Sequence, residues 1–559
     1  MFDATTYPLI LVAETEQSDE AEGISARIPH LDFDDLGDVV DEVCVPFTQE
    51  QLRGMGWASL GNPGFDVLAE IQSGALRLED YVGSPPLRGI VSGCNEAFTV
   101  DEKTCEQLIE SDSGSEELIH PVRTGRDVRR YVLENPGTYL IYAKHGIDID
   151  QYPAVEAHLR QHKEKLENRA TDQAWYELQQ PQEAYEEKFK QSKIVYPDIA
   201  EQVRFHLDSK GCLLRSKASF IPKADNYLLA LLNSQVTNFY LQSITASYRG
   251  GYMSMKAQYI ENIPIREIEF TTDEAERKQH VEALIRDYEA ARRSDAPLPD
   301  TAVLNAVEDH LSTNPEQADV VHDLLAHLAC EMTRLKEERH TYHLDVTDYV
   351  AAPESGQDGG VGLRAIERYQ PVPGATDSLL AATTEQRDGL RIGRLTATHR
   401  GDAVTVRATA RFKPSGSGSG TGSGDGDTWP DVVPDDAEPD QWGYVETEPL
   451  PVCTLHDCSE LEAGLVVHWL AALNDANSGF SGYRDTATKT ITLLDRLYDL
   501  RLPDPSDEDV RDALHPFLDN AAAAADLDVQ IEFTDGLVDQ IVYRLYGLSE
   551  DEVAVVEEG

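Results

Sequence analysis

An α+β fold is predicted for this chain, with a mixed α/β domain followed by helical segments and a hairpin-bearing elaboration. Three observations predict it. A β-rich alternating stretch, GTYLIYA at 137–143, is followed closely by the helix-patterned AVEAHLRQHKEKLENRA at 154–170. Apolar residues recur at helical spacing in two later stretches: Leu228, Leu231, Leu232 and Phe239, then Val321, Leu325, Leu328, Met332 and Leu335. Residues 390–412, LRIGRLTATHRGDAVTVRATARF, alternate on both sides of an Arg-Gly-Asp turn and predict a hairpin. Mixed short strands and helices imply an α+β fold.

The elements follow in order. MFDATTYPLILVAET at 1–15 reads as a strand that begins abruptly, and residues 16–84 are acidic and irregular. A lone strand is unstable without a sheet, so a partner or preceding polypeptide is expected to supply one. Pro85–Pro86 marks a turn into the mixed region, where WYELQQPQ at 175–182 reads as extended chain. One amphipathic helix is expected over 226–242, and further helices over 272–293 and 316–343. In the last of these, the four-and-three spacing from Val321 to Leu335 forms a short heptad seam, open to internal packing or to a partner helix. Residues 414–440 are Gly-, Ser- and Asp-rich and read as a flexible linker. Helices resume at 459–474 and 487–500. The chain ends on a helix, a Gly547 stop and a capping box made by Ser549 and Glu552.

Composition narrows the function. The 559 residues include 48 Lys or Arg against 101 Asp or Glu, a formal net charge of −53. The acid is spread along the chain, as in proteins adapted to a cytoplasm of multimolar salt. The Debye length there is about 3 Å or less, so diffuse charge hardly repels a polyanion. Most Lys falls between Lys144 and Lys256, accompanied by Arg123, Arg126, Arg129, Arg130, Arg204, Arg215 and Arg249. A local cationic surface in so acidic a chain points to a polyanionic partner. Seven widely spaced Cys argue against a disulfide framework. No apolar run is long enough for a membrane span and no secretory signal is visible, so a cytoplasmic location is expected.

Three words carry a family resemblance: KIVYPDIA at 193–200, YLLALLNSQVTNFYLQ at 227–242 and YRGGYMSMKAQYIENIPI at 248–265. Together they resemble the TaqI-like C-terminal specificity domain, the target-recognition domain of type IIG restriction-modification enzymes and adenine-specific DNA methyltransferases. The resemblance covers about 85–270 and 535–558. It implies double-stranded DNA as ligand and a methyltransferase, with or without a nuclease, as partner or upstream domain. It also implies that S-adenosylmethionine, and Mg²⁺ if a nuclease is present, bind that other half and not this chain. Neither the Gly-rich cofactor loop nor the Asn/Asp-Pro-Pro-aromatic loop of adenine N6 methylation occurs in this sequence. Residues 1–84 then read as the end of a methyltransferase domain with its connector, and 85–270 as the recognition domain. A helical spacer at 271–350, a small α/β elaboration at 351–413, the linker and a helical region at 441–559 follow.

Candidate DNA contacts follow from residue chemistry. Phosphates need cations, and base edges need forks and flat faces. Tyr248, Arg249, Tyr252 and Lys256 surround the Gly250–Gly251 turn and lead the set; Lys193, Tyr196, Arg215, Lys217, Arg123, Arg126 and Arg129 complete it. No catalytic or metal-binding residue is assigned. Two alternatives stay open: a Mg²⁺-dependent nuclease using Pro197-Asp198 with Asp208-Ser209-Lys210, and a non-enzymatic assembly protein acting through the heptad seam. Cys453, His456 and Cys458 are a weaker zinc pattern.

Overall fold

The computed structural model describes residues 22–26, 44–48, 64–245, 248, 251–294, 297–351, 353, 360–363, 366, 369–372, 374–413, 439–440, 442–475 and 484–558. The expected strand at 1–15, most of the linker and Arg249 lie outside them. The chain divides into two compact units: Met1–Glu338 with Leu527–Gly559, and Arg339–Asp526. The long helix Glu508–Leu545 contributes residues to both.

The first unit is built on two four-stranded sheets. In one, the order is His206–Asp208, Lys193–Pro197, Ala218–Ile221 and Leu87–Arg88, with every pair antiparallel. In the other, Leu213–Leu214 runs parallel to Ile119–Arg123, followed by Thr138–Ile141 and Thr99–Asp101. Phe98, Val122, Leu140, Phe189, Leu214 and Phe220, all at 0% exposure, fill the core with residues from both sheets. Local chemistry sets the helix starts. Asp101 caps Glu102–Ser111 by accepting from the Thr104 amide at 2.8 Å, and Pro153 opens Pro153–Arg160.

Four expectations are corrected. The helix over 154–170 is two short helices, Pro153–Arg160 and Lys163–Glu167. The stretch 175–182 begins as a turn, with a single bridge from Gln180 to Val91. The helix at 487–500 shrinks to Leu493–Tyr498, started by a Thr492–Asp495 capping box. The helix over 226–242 is broken into Asn226–Leu232 and Gln235–Ile244. Two side chains cause that break. Ser234 caps the second helix, and the fully buried Asn233 accepts from the Phe205 amide at 3.0 Å while donating to the Phe205 carbonyl at 3.0 Å. Arg130 donates to the Asn233 carbonyl and pairs with Asp535, and the Gln235 amide donates to Asp539 at 2.8 Å. The C-terminal segment is thereby tied into the first unit. Asp539 is buried, which pushes its carboxyl up to about 7, against the pull of Arg130.

The heptad seam lies on the helix Ala318–His340, and Val321, Leu325, Leu328, Met332 and Leu335 are all at 0% exposure. Its apolar face is therefore spent on internal packing, which removes the surface on which the assembly-protein reading rested. Among the described residues no helix is long and apolar enough to cross a membrane. The six described cysteines hold free thiols.

One buried ion pair anchors the first unit. Lys193 Nζ, at 0% exposure, donates to Asp208 Oδ2 at 2.5 Å and to the Phe189 carbonyl at 2.6 Å. Asp208 also accepts from the amides of Lys210, Gly211 and Cys212 and from the Cys212 thiol. Burial opposes ionisation of Asp208, but the Lys193 ammonium, the thiol and the amide outweigh it and hold the carboxyl below its ordinary range.

Lys193→Met leaves a buried, unpaired carboxylate and is expected to cost about 3–5 kcal/mol in denaturant unfolding. The double variant Lys193→Met/Asp208→Leu should remain destabilised, because three amides lose their acceptor. Because the folded Asp208 pKa is depressed, its stabilisation is present above the unfolded value of about 3.9 and is withdrawn as pH falls through the folded value. An acid melt of Asp208→Asn should therefore lack part of the wild-type loss. Asn233→Ala orphans a buried N–H and a buried C=O and is expected to cost about 2–4 kcal/mol by the same measurement.

Candidate nucleic-acid interface

Three of the strings singled out in the sequence meet at one edge of the first unit. The loop at 122–126 lies against 213–217: Val122 and Arg123 pair in parallel with Leu213 and Leu214, and the Arg215 amide donates to the Arg123 carbonyl at 2.9 Å. Gly125 makes the approach possible, since a Cβ there would sit 2.1 Å from the Lys217 carbonyl oxygen. Lys217 has a φ of 77°, and its carbonyl accepts from the Asp198 amide at 3.1 Å. The Asp198 carbonyl in turn accepts from the Met255 amide at 2.8 Å, and Ile199–Ala200 pairs antiparallel with Met253–Ser254. Arg126, Lys217 and Lys256 are exposed on these linked segments and form no ion pair among the described residues.

The remaining candidates fall in several places. Arg215 is half-buried and donates to Thr99 Oγ1 at 2.7 Å; burial lowers its proton affinity, Asp127 opposes that and Arg126 adds to it. Those interactions put Arg126, Asp127 and Arg215 within one electrostatic neighbourhood. Arg129 is exposed but paired with Glu134 at 3.1 Å. Tyr248 is half-buried, and its amide donates to the Tyr252 carbonyl at 2.7 Å, which closes the turn around Gly251. Tyr252 is 40% exposed, and its phenol is held above its usual pKa by a hydrogen bond to Glu201.

Three candidates are corrected. Lys193 and Tyr196 lie at 0% exposure on the central strand Lys193–Pro197, and Arg123 is at 9% with Nη1 turned onto the Val122 carbonyl. A strand covered on both faces offers no side chain to a ligand outside the fold. The reading of 144–256 as one cationic surface is also corrected. Lys144, Lys163, Lys165, Lys190 and Lys223 pair with Glu186, Glu167, Glu96, Glu187 and Asp225, and Arg130 with Asp535.

Two residues absent from the sequence reading belong to this edge. Arg88 is exposed on the strand Leu87–Arg88, next to Gly89, whose missing Cβ would lie 2.6 Å from the Arg215 carbonyl oxygen. Ile199 is 49% exposed on the ribbon that also carries Tyr252. The Arg88-Gly89 dipeptide was the available signal for the first. Nothing in KIVYPDIA separates Ile199 from its buried neighbours.

The nuclease pattern does not assemble. All the acceptor positions used by Asp208 face Lys193, three amides and a thiol, and Asp198 Oδ1 accepts from Ser219 Oγ at 3.0 Å. A divalent cation needs carboxylate oxygens that are open to it. Among the described residues no group of three or more His, Cys, Asp or Glu is arranged to hold a metal, and Cys453 is buried with its thiol pushed up to about 12 by burial.

The type II methyltransferase M.BanIII of Aneurinibacillus aneurinilyticus is 27% identical over 195 residues, which is 30% of this chain and 33% of that protein. The type II methyltransferase M.BstVI of Geobacillus stearothermophilus is 22% identical over 243 residues, 40% of each. The chain thus spans a third to two fifths of the length of the curated relatives it matches. A solved structure of the type IIL restriction-modification enzyme MmeI in complex with DNA aligns at a TM-score of 0.28 and 13% identity, covering 45% of this chain and 33% of that one. A family model described as the TaqI-like C-terminal specificity domain matches residues 120–265.

Proposed function

We propose that this chain reads DNA sequence for a restriction-modification system, directing adenine N6 methylation by a methyltransferase supplied as a separate polypeptide or preceding segment. The observation that carries the reading is the convergence of 122–126, 213–217 and 252–256 within the matched domain. Arg126, Lys217 and Lys256, all exposed, are the proposed phosphate contacts. Arg88 lies beside them, and Tyr252 with Ile199 offers flat and apolar surface to bases or sugars. Arg249, adjoining the Tyr252 turn in sequence, is the proposed base reader, since its fork suits the major-groove edge of guanine. S-adenosylmethionine belongs to the methyltransferase in this reading, as does Mg²⁺ to any nuclease.

The reading is tested with the full chain and a randomised duplex library across a KCl series. Lys217→Ala and Arg126→Ala should weaken binding to all sequences alike and make the salt slope shallower by about 0.9 for each phosphate no longer neutralised. Arg249→Ala should relax preference at one base pair by about tenfold or more. Absence of any enriched sequence with the wild-type chain, or cleavage by the purified chain with Mg²⁺ alone, overturns the reading. Co-purification of an S-adenosylmethionine-binding polypeptide checks the partner.

A further inference from the structure

The second unit carries a concentration of positive charge that runs against the composition of the chain. Between residues 387 and 413 there are seven Arg or Lys against two Asp, in a protein where acids outnumber bases 101 to 48. The segment forms the two antiparallel strands Arg391–Arg400 and Ala403–Phe412, joined through Gly401 and Asp402. They belong to a five-stranded sheet in which Leu450–Leu455 pairs with the second strand and Arg391–Arg400 is the edge.

Alternation sorts the side chains. Ile392, Leu395, Val404, Val406, Ala408 and Ala410 are buried in one cluster with Val466, Trp469 and Leu470 of the helix Glu460–Asp475. The opposite face presents Arg394, Thr396, Thr398 and Arg400 on the edge strand and Thr405 and Arg407 on the next, with Thr396 in register with Arg407 and Thr398 with Thr405. Arg394, Arg400 and Arg407 are exposed and meet no carboxylate in an ion pair among the described residues. At one end of this face the Tyr444 ring is surrounded by Arg391, Arg411 and Lys413 at 5.4, 5.4 and 5.1 Å, and Trp442 stands 70% exposed beside it. At that end Asp440 pairs with Arg411, and Glu446 accepts a hydrogen bond from the Thr409 hydroxyl.

Blocking edge-to-edge pairing does not account for this pattern. Charged side chains do protect edge strands. In this chain such a charge would be an acid, and Arg407 lies on the interior strand. Arg394 and Arg400 are about 20 Å apart along the strand. Three guanidinium groups spread over that distance, with threonine hydroxyls between them and an exposed indole at the rim, match a run of phosphates on a nucleic-acid strand.

We propose that this Arg/Thr face of the second unit is a separate DNA-backbone binding site, holding phosphates without reading bases. It does not depend on the assignment of residues 120–265.

The test uses the full chain, a labelled mixed-sequence duplex and a single strand of equal length, titrated over a range of KCl. Arg394→Gln/Arg400→Gln/Arg407→Gln is expected to weaken binding to at least one of these probes irrespective of sequence. Its log–log salt slope should be shallower by about 2–3. The base preference selected from a randomised library should be that of the wild type. Arg400→Glu alone, next to the turn, should act in the same direction, and thermal unfolding confirms that both variants are folded. Wild-type affinity and slope with both probes overturn the site. So does a triple variant that alters self-association in sedimentation but leaves DNA binding intact, since the face would then fit an acidic surface of a second copy. A wild-type chain without base preference but with the Arg-dependent slope would sink the sequence-reading role and leave this site standing.

Discussion

The buried pair between Lys193 and Asp208 is the constraint on which the DNA-facing edge depends. Asp208 ends one strand, and its carboxylate gathers the amides of Lys210, Gly211 and Cys212 into a tight turn. That turn sends the chain directly into Leu213–Leu214, the strand that lies against Ile119–Arg123 and leads to Arg215 and Lys217. A charge at 0% exposure survives because a carboxylate and a backbone carbonyl meet it. The ion pair therefore specifies one path for the backbone, and the exposed cations inherit their positions from it.

Charge is distributed by local neutralisation over most of the first unit. Six of the ten lysines between Lys144 and Lys256, which look in sequence like a basic field, are matched to a carboxylate within a few ångströms, mostly on the surface, where such pairs add little stability. Their effect is to cancel the field locally. Against that background a few exposed cations on linked loops, or three arginines on one sheet face, stand out more than they would in a protein of average composition. With net charge at −53, attraction of a polyanion has to come from such places.

The C-terminal segment shows how a distant stretch becomes part of a domain. Arg130 joins the Asn233 carbonyl to Asp535, Gln235 donates to Asp539, and Tyr546 donates through its hydroxyl to the Pro264 carbonyl at 2.8 Å. The partners are backbone groups at a helix end, a helix start and the start of a short strand, which would otherwise lack acceptors or donors. The intervening residues 339–526 form a compact unit of their own, so an elaboration of that size is accommodated between two segments that still fold together.

Much of the local structure was legible in the sequence because it is set by neighbours a few residues apart. The Arg-Gly-Asp turn, the Gly547 stop, the Ser549–Glu552 capping box and the helix with the Val321–Leu335 stripe all follow from short-range rules. The α+β class and the resemblance over residues 193–265 follow from the same kind of pattern. What composition and spacing did not reveal is which polar residues are spent inside. Lys193, Tyr196 and Arg123 have the chemistry of DNA ligands, yet burial takes them: the strand Lys193–Pro197 is covered on both faces, and the Arg123 guanidinium is folded back onto the Val122 carbonyl. Asn233 breaks a helix that periodicity would continue, because Phe205, 28 residues earlier, offers it two backbone bonds. Sequence by itself determined most of the elements and their chemical inventory. Tertiary structure decided which charges face water, since exposure depends on contacts between residues far apart in the chain, and no local pattern records them.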